Sequence, residues 1–159
     1  METNAKASVL IVDDEEMVIT SLKALLQLET EYDVHGFTDP EMAAKFLESN
    51  TVDTCVSDYL MPRMNGIQFL TRAKQLQPES SRVLLTGHAD KQSAIVAINQ
   101  VALFQYVEKP WDNAQLLLVI QSGVERTQLF RTLREKVSEL DSAHSSLKEV
   151  QRRLIKAFM

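Results

Sequence analysis

Short apolar runs alternate along the chain with stretches in which apolar residues recur every three or four positions. Ser8-Val9-Leu10-Ile11-Val12 is β-branched and aliphatic and stops abruptly at Asp13-Asp14-Glu15-Glu16. A run of that length, bounded by charge, predicts a buried strand. Met17, Val18, Leu22, Leu25 and Leu26 follow at helical spacing and predict a helix to about Leu28. Residues 32–37 read as a second strand. Asp39-Pro40 then supplies a cap and a proline at the first helical position, and Met42, Ala43, Phe46 and Leu47 form the buried face of the second helix. The third strand spans 52–58 and is followed by a loop carrying Pro62 and Gly66. A helix from 66 to about 77 buries Ile67, Phe69, Leu70 and Ala73. Strand four is 82–86, helix four runs from 90 to about 100 with Ala94, Ile95, Ala97 and Ile98, and strand five is 104–108. Asp112, with Gln115 three residues on, has the capping-box pattern. From there a helical pattern continues to the C-terminus without a proline. Five strands alternating with five helices predict an α/β fold. It has a five-stranded parallel sheet, doubly wound, with right-handed crossovers and a last helix that extends well beyond the rest.

The third strand ends in a single carboxylate, Asp58. In an open parallel sheet, ligands bind outside the carboxyl ends of the strands. The other strands deliver Asp13, Asp14, Thr86 and Lys109 to that same edge. Three adjacent carboxylates repel one another, and one tends to hold a proton. A hard divalent cation, Mg²⁺ or Mn²⁺, removes the conflict because it takes oxygen ligands. A lysine and a hydroxyl facing the same spot match a phosphoryl group, Lys109 neutralising its oxygens and Thr86 donating a hydrogen bond. Asp58 is then the candidate nucleophile, since aspartyl phosphate is an established covalent intermediate. Taken singly, each residue has an ordinary explanation: a strand-end cap, the first turn of a helix, a surface turn at Lys109-Pro110. Their convergence on one edge is what makes a site.

The length of 159 residues suits one domain with an appendage. A formal net charge of −5 argues against a nucleic-acid partner, which needs a clustered basic face. The one cysteine, Cys55, lies mid-strand and reads as an apolar filler; no intrachain disulfide is possible. Residues 1–7 are polar and short, a disordered tail rather than a signal peptide, and no apolar run approaches the ~20 residues of a membrane span. The expectation is a cytoplasmic protein with no membrane partner.

The acidic pair Asp13-Asp14, Asp58 followed by Met61-Pro62 and Gly66, Thr86 closing strand four, Tyr106 on strand five and Lys109-Pro110 occur in this order. Over residues 8–124 they resemble the receiver domain of two-component response regulators, with its flavodoxin-like (βα)5 sheet. The resemblance implies that Asp58 accepts a phosphoryl group from a phosphohistidine on a sensor histidine kinase or phosphotransfer protein. It implies Mg²⁺ held by Asp14, Asp58 and the backbone carbonyl of Leu60, with Asp13 acting through a metal-bound water. Lys109 would pair with the phosphoryl group, and the Lys109–Pro110 bond would be cis. Thr86 and Tyr106 would be the switch residues, moving inward and reshaping the face of helix four, strand five and helix five. Leu60 and His88 would flank the path of the hydrolytic water. An apolar Leu60 cannot orient that water, so self-dephosphorylation is expected to be slow and no turnover enzyme is expected. An aspartate-nucleophile phosphatase on a related fold is the alternative, but it wants Asp-x-Asp after strand one, where Asp13-Asp14-Glu15-Glu16 stands. A dinucleotide binder wants a glycine-rich loop there instead.

The helical pattern after 124 carries a second signal. Leu133, Leu140, Leu147 and Leu154 are seven apart, and Phe130, Val137, His144, Gln151 and Phe158 fall at the alternating position. With the leucines at d and the second set at a, residues 125–159 predict a parallel coiled coil that pairs two copies of the chain. Lys136 at g can pair with Asp141 at e of the partner. The stretch before it, 113–128, lacks the basic residues of a zipper-type DNA-binding region. A helix that runs from the phosphorylation-sensitive face into a dimer stalk points to an output domain beyond Met159.

Overall fold

The computed structural model describes residues 6–158, apart from the side chain of His88. The expected disordered tail at 1–7 therefore lies mostly outside the described residues. Strands β1 (Ser8–Val12), β2 (Asp33–Phe37), β3 (Thr54–Asp58), β4 (Ser81–Thr86) and β5 (Gln105–Glu108) form one sheet in the order β2-β1-β3-β4-β5. Every pairing is parallel. The connecting helices are α1 (Glu16–Glu29), α2 (Pro40–Ser49), α3 (Gly66–Leu76), α4 (Lys91–Gln100) and α5 (Asn113–Phe158).

Successive strand residues point to opposite faces, and both faces are covered, so the strands are apolar throughout. Leu10, Val12, Cys55 and Leu84 join Ala43, Leu47, Phe69, Leu70, Ala94 and Ala97 of α2, α3 and α4 in one core layer. Val9, Ile11, Val56, Val83 and Leu85 join Leu22, Leu26, Leu116 and Ile120 of α1 and α5 in the other. Cys55 is buried and free, and its surroundings push the thiol up to about 12, chiefly by desolvation.

The helix faces differ in detail from the periodicity. Met17, Met42, Ile95 and Ile98 are exposed rather than buried. In α1 the buried stripe runs through Ile19, Leu22 and Leu26, and in α4 only Ala94 and Ala97 are buried, so the larger neighbours turn outward. The sheet hydrogen bonding sets strand starts at Thr54 and Gln105, later than the apolar runs suggest. A 3₁₀ turn at His88–Asp90 precedes α4. Asp39 caps α2 as expected, accepting from Glu41 N with Pro40 behind it. Asp112 does not form a capping box with Gln115: its carboxylate accepts from Ala114 N at 3.3 Å. The capping box sits instead at α3, where Asn65 and Gln68 bond each other's backbone N–H.

Two buried polar arrangements fix helix ends. The Arg82 guanidinium, buried in β4, donates to the carbonyls of Ser80, Val101 and Ala102 at 2.9–3.2 Å, which ties the C-terminus of α4 to the sheet. At α5, Thr127 Oγ1 donates to Asp53 O at 2.7 Å and meets Ser81 Oγ at 2.8 Å, while Ser81 Oγ donates to Gly123 O at 2.7 Å. A methyl at Gly123 would meet Thr54 Oγ1 at 3.0 Å and Ser81 Cβ at 3.2 Å, so α5 lies so close to β3 and β4 that its neighbours would have to give by a few tenths of an ångström. Thr127 is the last buried residue of α5, and the chain divides into compact units at Thr127 and Gln128. From 128 to 158 every residue is exposed except the half-buried Arg131.

Removing only the hydroxyl tests that attachment. Thr127→Val keeps the shape but removes the bond to Asp53 O, and should lower stability by about 1–2 kcal/mol in urea denaturation.

Candidate functional site

The carboxyl ends of β1, β3 and β5 bring four charged side chains together. Asp13, one residue past β1, is 1% exposed and is anchored by its own N–H on Phe37 O at 3.1 Å. Its Oδ1 accepts from Glu15 N at 2.8 Å, which opens α1. Its Oδ2 is buried and has no hydrogen-bond partner. Asp58, at the end of β3, is 6% exposed. Lys109, just past β5, places Nζ 2.6 Å from Asp58 Oδ1. Lys109 is itself held by its N–H on Thr86 O at 2.8 Å, and the Lys109–Pro110 bond is cis. Asp14 is exposed, yet one oxygen from each of Asp13, Asp14 and Asp58 lies within 4.8 Å of the others.

The electrostatics follow from that crowding. Burial is the largest influence on Asp13 and raises its carboxyl to about 6, with Asp58 and Asp14 adding to the rise and the Glu15 N–H and Lys109 opposing it. Asp58 is also raised, by burial first and by Asp14, although Lys109 pulls the other way. One lysine therefore does not neutralise three carboxylates. The donor set is all oxygen, and the orphaned Asp13 Oδ2 points to a missing charge partner, which is what a hard divalent cation provides.

The loop behind Asp58 is tightly built. Tyr59 N donates to Leu85 O and Gly66 N to Tyr59 O, both at 2.8 Å. A methyl at Gly66 would collide with the Asp58 carbonyl oxygen and approach Leu84 Cδ1 to 2.8 Å. Ser57 Oγ donates to that same Asp58 oxygen at 3.0 Å. Arg63 completes the turn at φ 72°, in the left-handed region where a non-glycine residue is strained.

Thr86 and Tyr106 lie on the neighbouring strands β4 and β5. Thr86, buried, ends β4 one residue beyond Leu85, the partner of Asp58; its hydroxyl donates to Gly87 O at 3.0 Å. Tyr106 is half-buried, packs against the α2–α3–α4 core layer, and lines an open groove of about 570 Å³ with Ile98, Leu103, Pro110 and Gln115. The Leu60 side chain is 64% exposed. The side chain of His88 lies outside the described residues. Phe130, Leu133, Val137, Leu140, His144, Leu147, Gln151, Leu154 and Phe158 are all exposed on the far part of α5. Periodicity gave no sign of Ser57, of the Glu15 N–H on Asp13, or of Trp111, which with Glu15, Val18 and Pro110 borders a cleft of about 460 Å³ beside Lys109. Only the proximity of Trp111 to Lys109-Pro110 in sequence could have flagged it.

A family model of the response regulator receiver domain matches residues 9–121. The chain belongs to that family. Among similar proteins is the hydrogenase transcriptional regulatory protein HoxA of Bradyrhizobium diazoefficiens. It is 31% identical over 131 residues, which cover 82% of this chain and 26% of HoxA. The transcriptional regulatory protein FixJ of the same organism is 28% identical, covering 77% of this chain and 59% of FixJ. This chain thus spans about a quarter of HoxA and little more than half of FixJ. Among solved structures, the signal receiver domain of an HD domain-containing protein from Pseudomonas fluorescens Pf-5 is 33% identical with a TM-score of 0.73, covering 78% of this chain and 98% of that one. No helix among the described residues of the receiver chain is long and apolar enough to cross a membrane.

Two outcomes test the site's physics. A carboxyl raised on folding takes up protons between its unfolded value of about 4 and about 6. Without metal, the Asp13 contribution therefore makes the receiver less stable as pH rises through that window, and the full cost persists above it. Asp13→Asn should stabilise the metal-free protein by about 1–3 kcal/mol at neutral pH, with the gain vanishing toward pH 4, as read by urea denaturation in chelator. Gly66→Ala should cost about 2–4 kcal/mol in the same assay, because the displaced atom is backbone.

Proposed function

We propose that Asp58 accepts a phosphoryl group from a phosphohistidine on a sensor histidine kinase or phosphotransfer protein. The observation that carries this reading is the Lys109 Nζ held 2.6 Å from Asp58 Oδ1 beside three converging carboxylates. An oxygen of the Asp58 carboxylate attacks phosphorus, and the donor imidazole leaves. Bound Mg²⁺ (or Mn²⁺), held by Asp13, Asp14, Asp58 and the carbonyl of Leu60, would supply positive charge to the phosphoryl oxygens. Lys109, already at the acceptor, turns from the carboxylate to the incoming phosphoryl oxygens. Burial of Asp13 and Asp58 strengthens every charge interaction there.

Phosphorylation then draws the Thr86 hydroxyl from Gly87 O to the new phosphoryl oxygens, and Tyr106 turns toward the space behind it. The groove bordered by α4 and β5 changes shape accordingly. The exposed part of α5 beyond Thr127 pairs with a second copy as a coiled coil and carries the change to an output domain outside these residues. The receiver itself is a signalling domain rather than a turnover enzyme. The exposed, apolar Leu60 offers no group to orient water, so the phosphoryl group is lost slowly.

Incubation with a small-molecule phosphodonor and Mg²⁺, followed by intact mass measurement, tests this. One phosphoryl group should appear on the protein and persist for minutes or longer, and Asp58→Asn should show none. Continuous release of phosphate in excess over protein would replace this reading with that of an aspartate-nucleophile phosphatase.

A further inference from the structure

Residues 128–158 expose Leu133, Leu140, Leu147 and Leu154 on one seam. A seam that repeats every seven residues is covered along its length only by another helix of the same repeat. A second copy of this chain in parallel register meets that need. Lys136 then faces the partner's Asp141, and Val150 faces the partner's Ile155. The competing bond of Lys136, to Glu139 on its own helix at 3.4 Å, is solvent-exposed and weak.

In the middle of this seam stands His144, at a position where apolar residues pack. In the paired helices it faces the partner's His144 and is enclosed by Leu140, Ala143 and Leu147 of both copies. The charged groups beside this layer are Asp141, three residues before, and Lys148, four residues after. Asp141 is engaged by Lys136 of the other copy, while Lys148 adds positive charge. Two neutral imidazoles are self-complementary, one donating an N–H and the other accepting it. Two protonated imidazoles are donors only, and they repel.

We propose that His144 makes this seam acid-labile: two copies stay paired while their imidazoles are neutral and separate when both take up a proton. The proposal rests on the homodimer reading above. Histidine is the side chain whose ordinary charge change lies between about pH 5 and about pH 8. The net negative charge of the chain shrinks toward its isoelectric point of about 5.2, which by itself favours association. Dissociation in acid therefore runs against the general charge effect.

Sedimentation equilibrium of the full chain at about pH 8 and about pH 5.5 tests this, with His144→Gln and His144→Leu beside the wild type. The wild-type dissociation constant should rise about tenfold or more in acid. Both variants should stay dimeric with a shift of less than about threefold, His144→Leu binding more tightly at either pH. The variants keep His35, His88 and the acidic cluster, so any titration in the receiver appears equally in them. An unchanged wild-type constant, or an equal shift in all three proteins, overturns the proposal while leaving the homodimer intact. A wild type that remains monomeric at about pH 8 overturns the homodimer and this switch together.

Discussion

The structure turns on one electrostatic imbalance at the carboxyl edge of the sheet. Asp13 and Asp58 are buried, Asp14 adjoins them, and Lys109 reaches the group. Desolvation raises both buried carboxyls, and the Lys109–Asp58 contact only partly offsets it. Such a site is poised for positive charge and, once that is supplied, for an anion. The scaffold exists largely to hold this arrangement. The N–H of Asp13 is pinned to Phe37, that of Lys109 to Thr86, and Gly66 allows the loop after β3 to fold onto the Asp58 carbonyl.

Around this edge the elements differ in how firmly they are tied. β3 and β1 are central in the sheet and apolar on both faces. By contrast, α4 buries only two alanines, and its preceding turn is 3₁₀ rather than α-helical. Its far end is fixed by the Arg82 guanidinium on Val101 and Ala102. Burial lowers the pKa of that guanidinium, but its fork is matched by carbonyls, so the charge is hydrogen-bonded rather than ion-paired. The helix packs against β4 and β5, the strands that carry Thr86 and Tyr106.

Helix α5 serves both parts of the chain by changing what its faces meet. Up to Thr127 its stripe of Leu116, Val119, Ile120, Gly123 and Val124 packs on the sheet, and the Ser81–Thr127–Asp53 bonds set its rotation there. Beyond Thr127 the helix continues to Phe158 with the leucine seam exposed.

Much of this was legible in the residues alone. The five strand–helix repeats, their parallel order and the identities of Asp13, Asp14, Asp58 and Lys109 follow from apolar runs that end in charge, because a buried strand must stop where polar groups reach the surface. Helix faces were less legible: Met17, Met42, Ile95 and Ile98 fit the period yet face outward, since period alone does not say which of two adjacent stripes meets the sheet. The heptad of α5 is likewise a property of sequence, being a spacing along one helix. What only the tertiary structure decided is distance and burial. The 2.6 Å approach of Lys109 to Asp58, the orphaned oxygen of Asp13 and the Thr127 attachment join residues far apart in the chain, and no local pattern encodes how closely separate strands bring them.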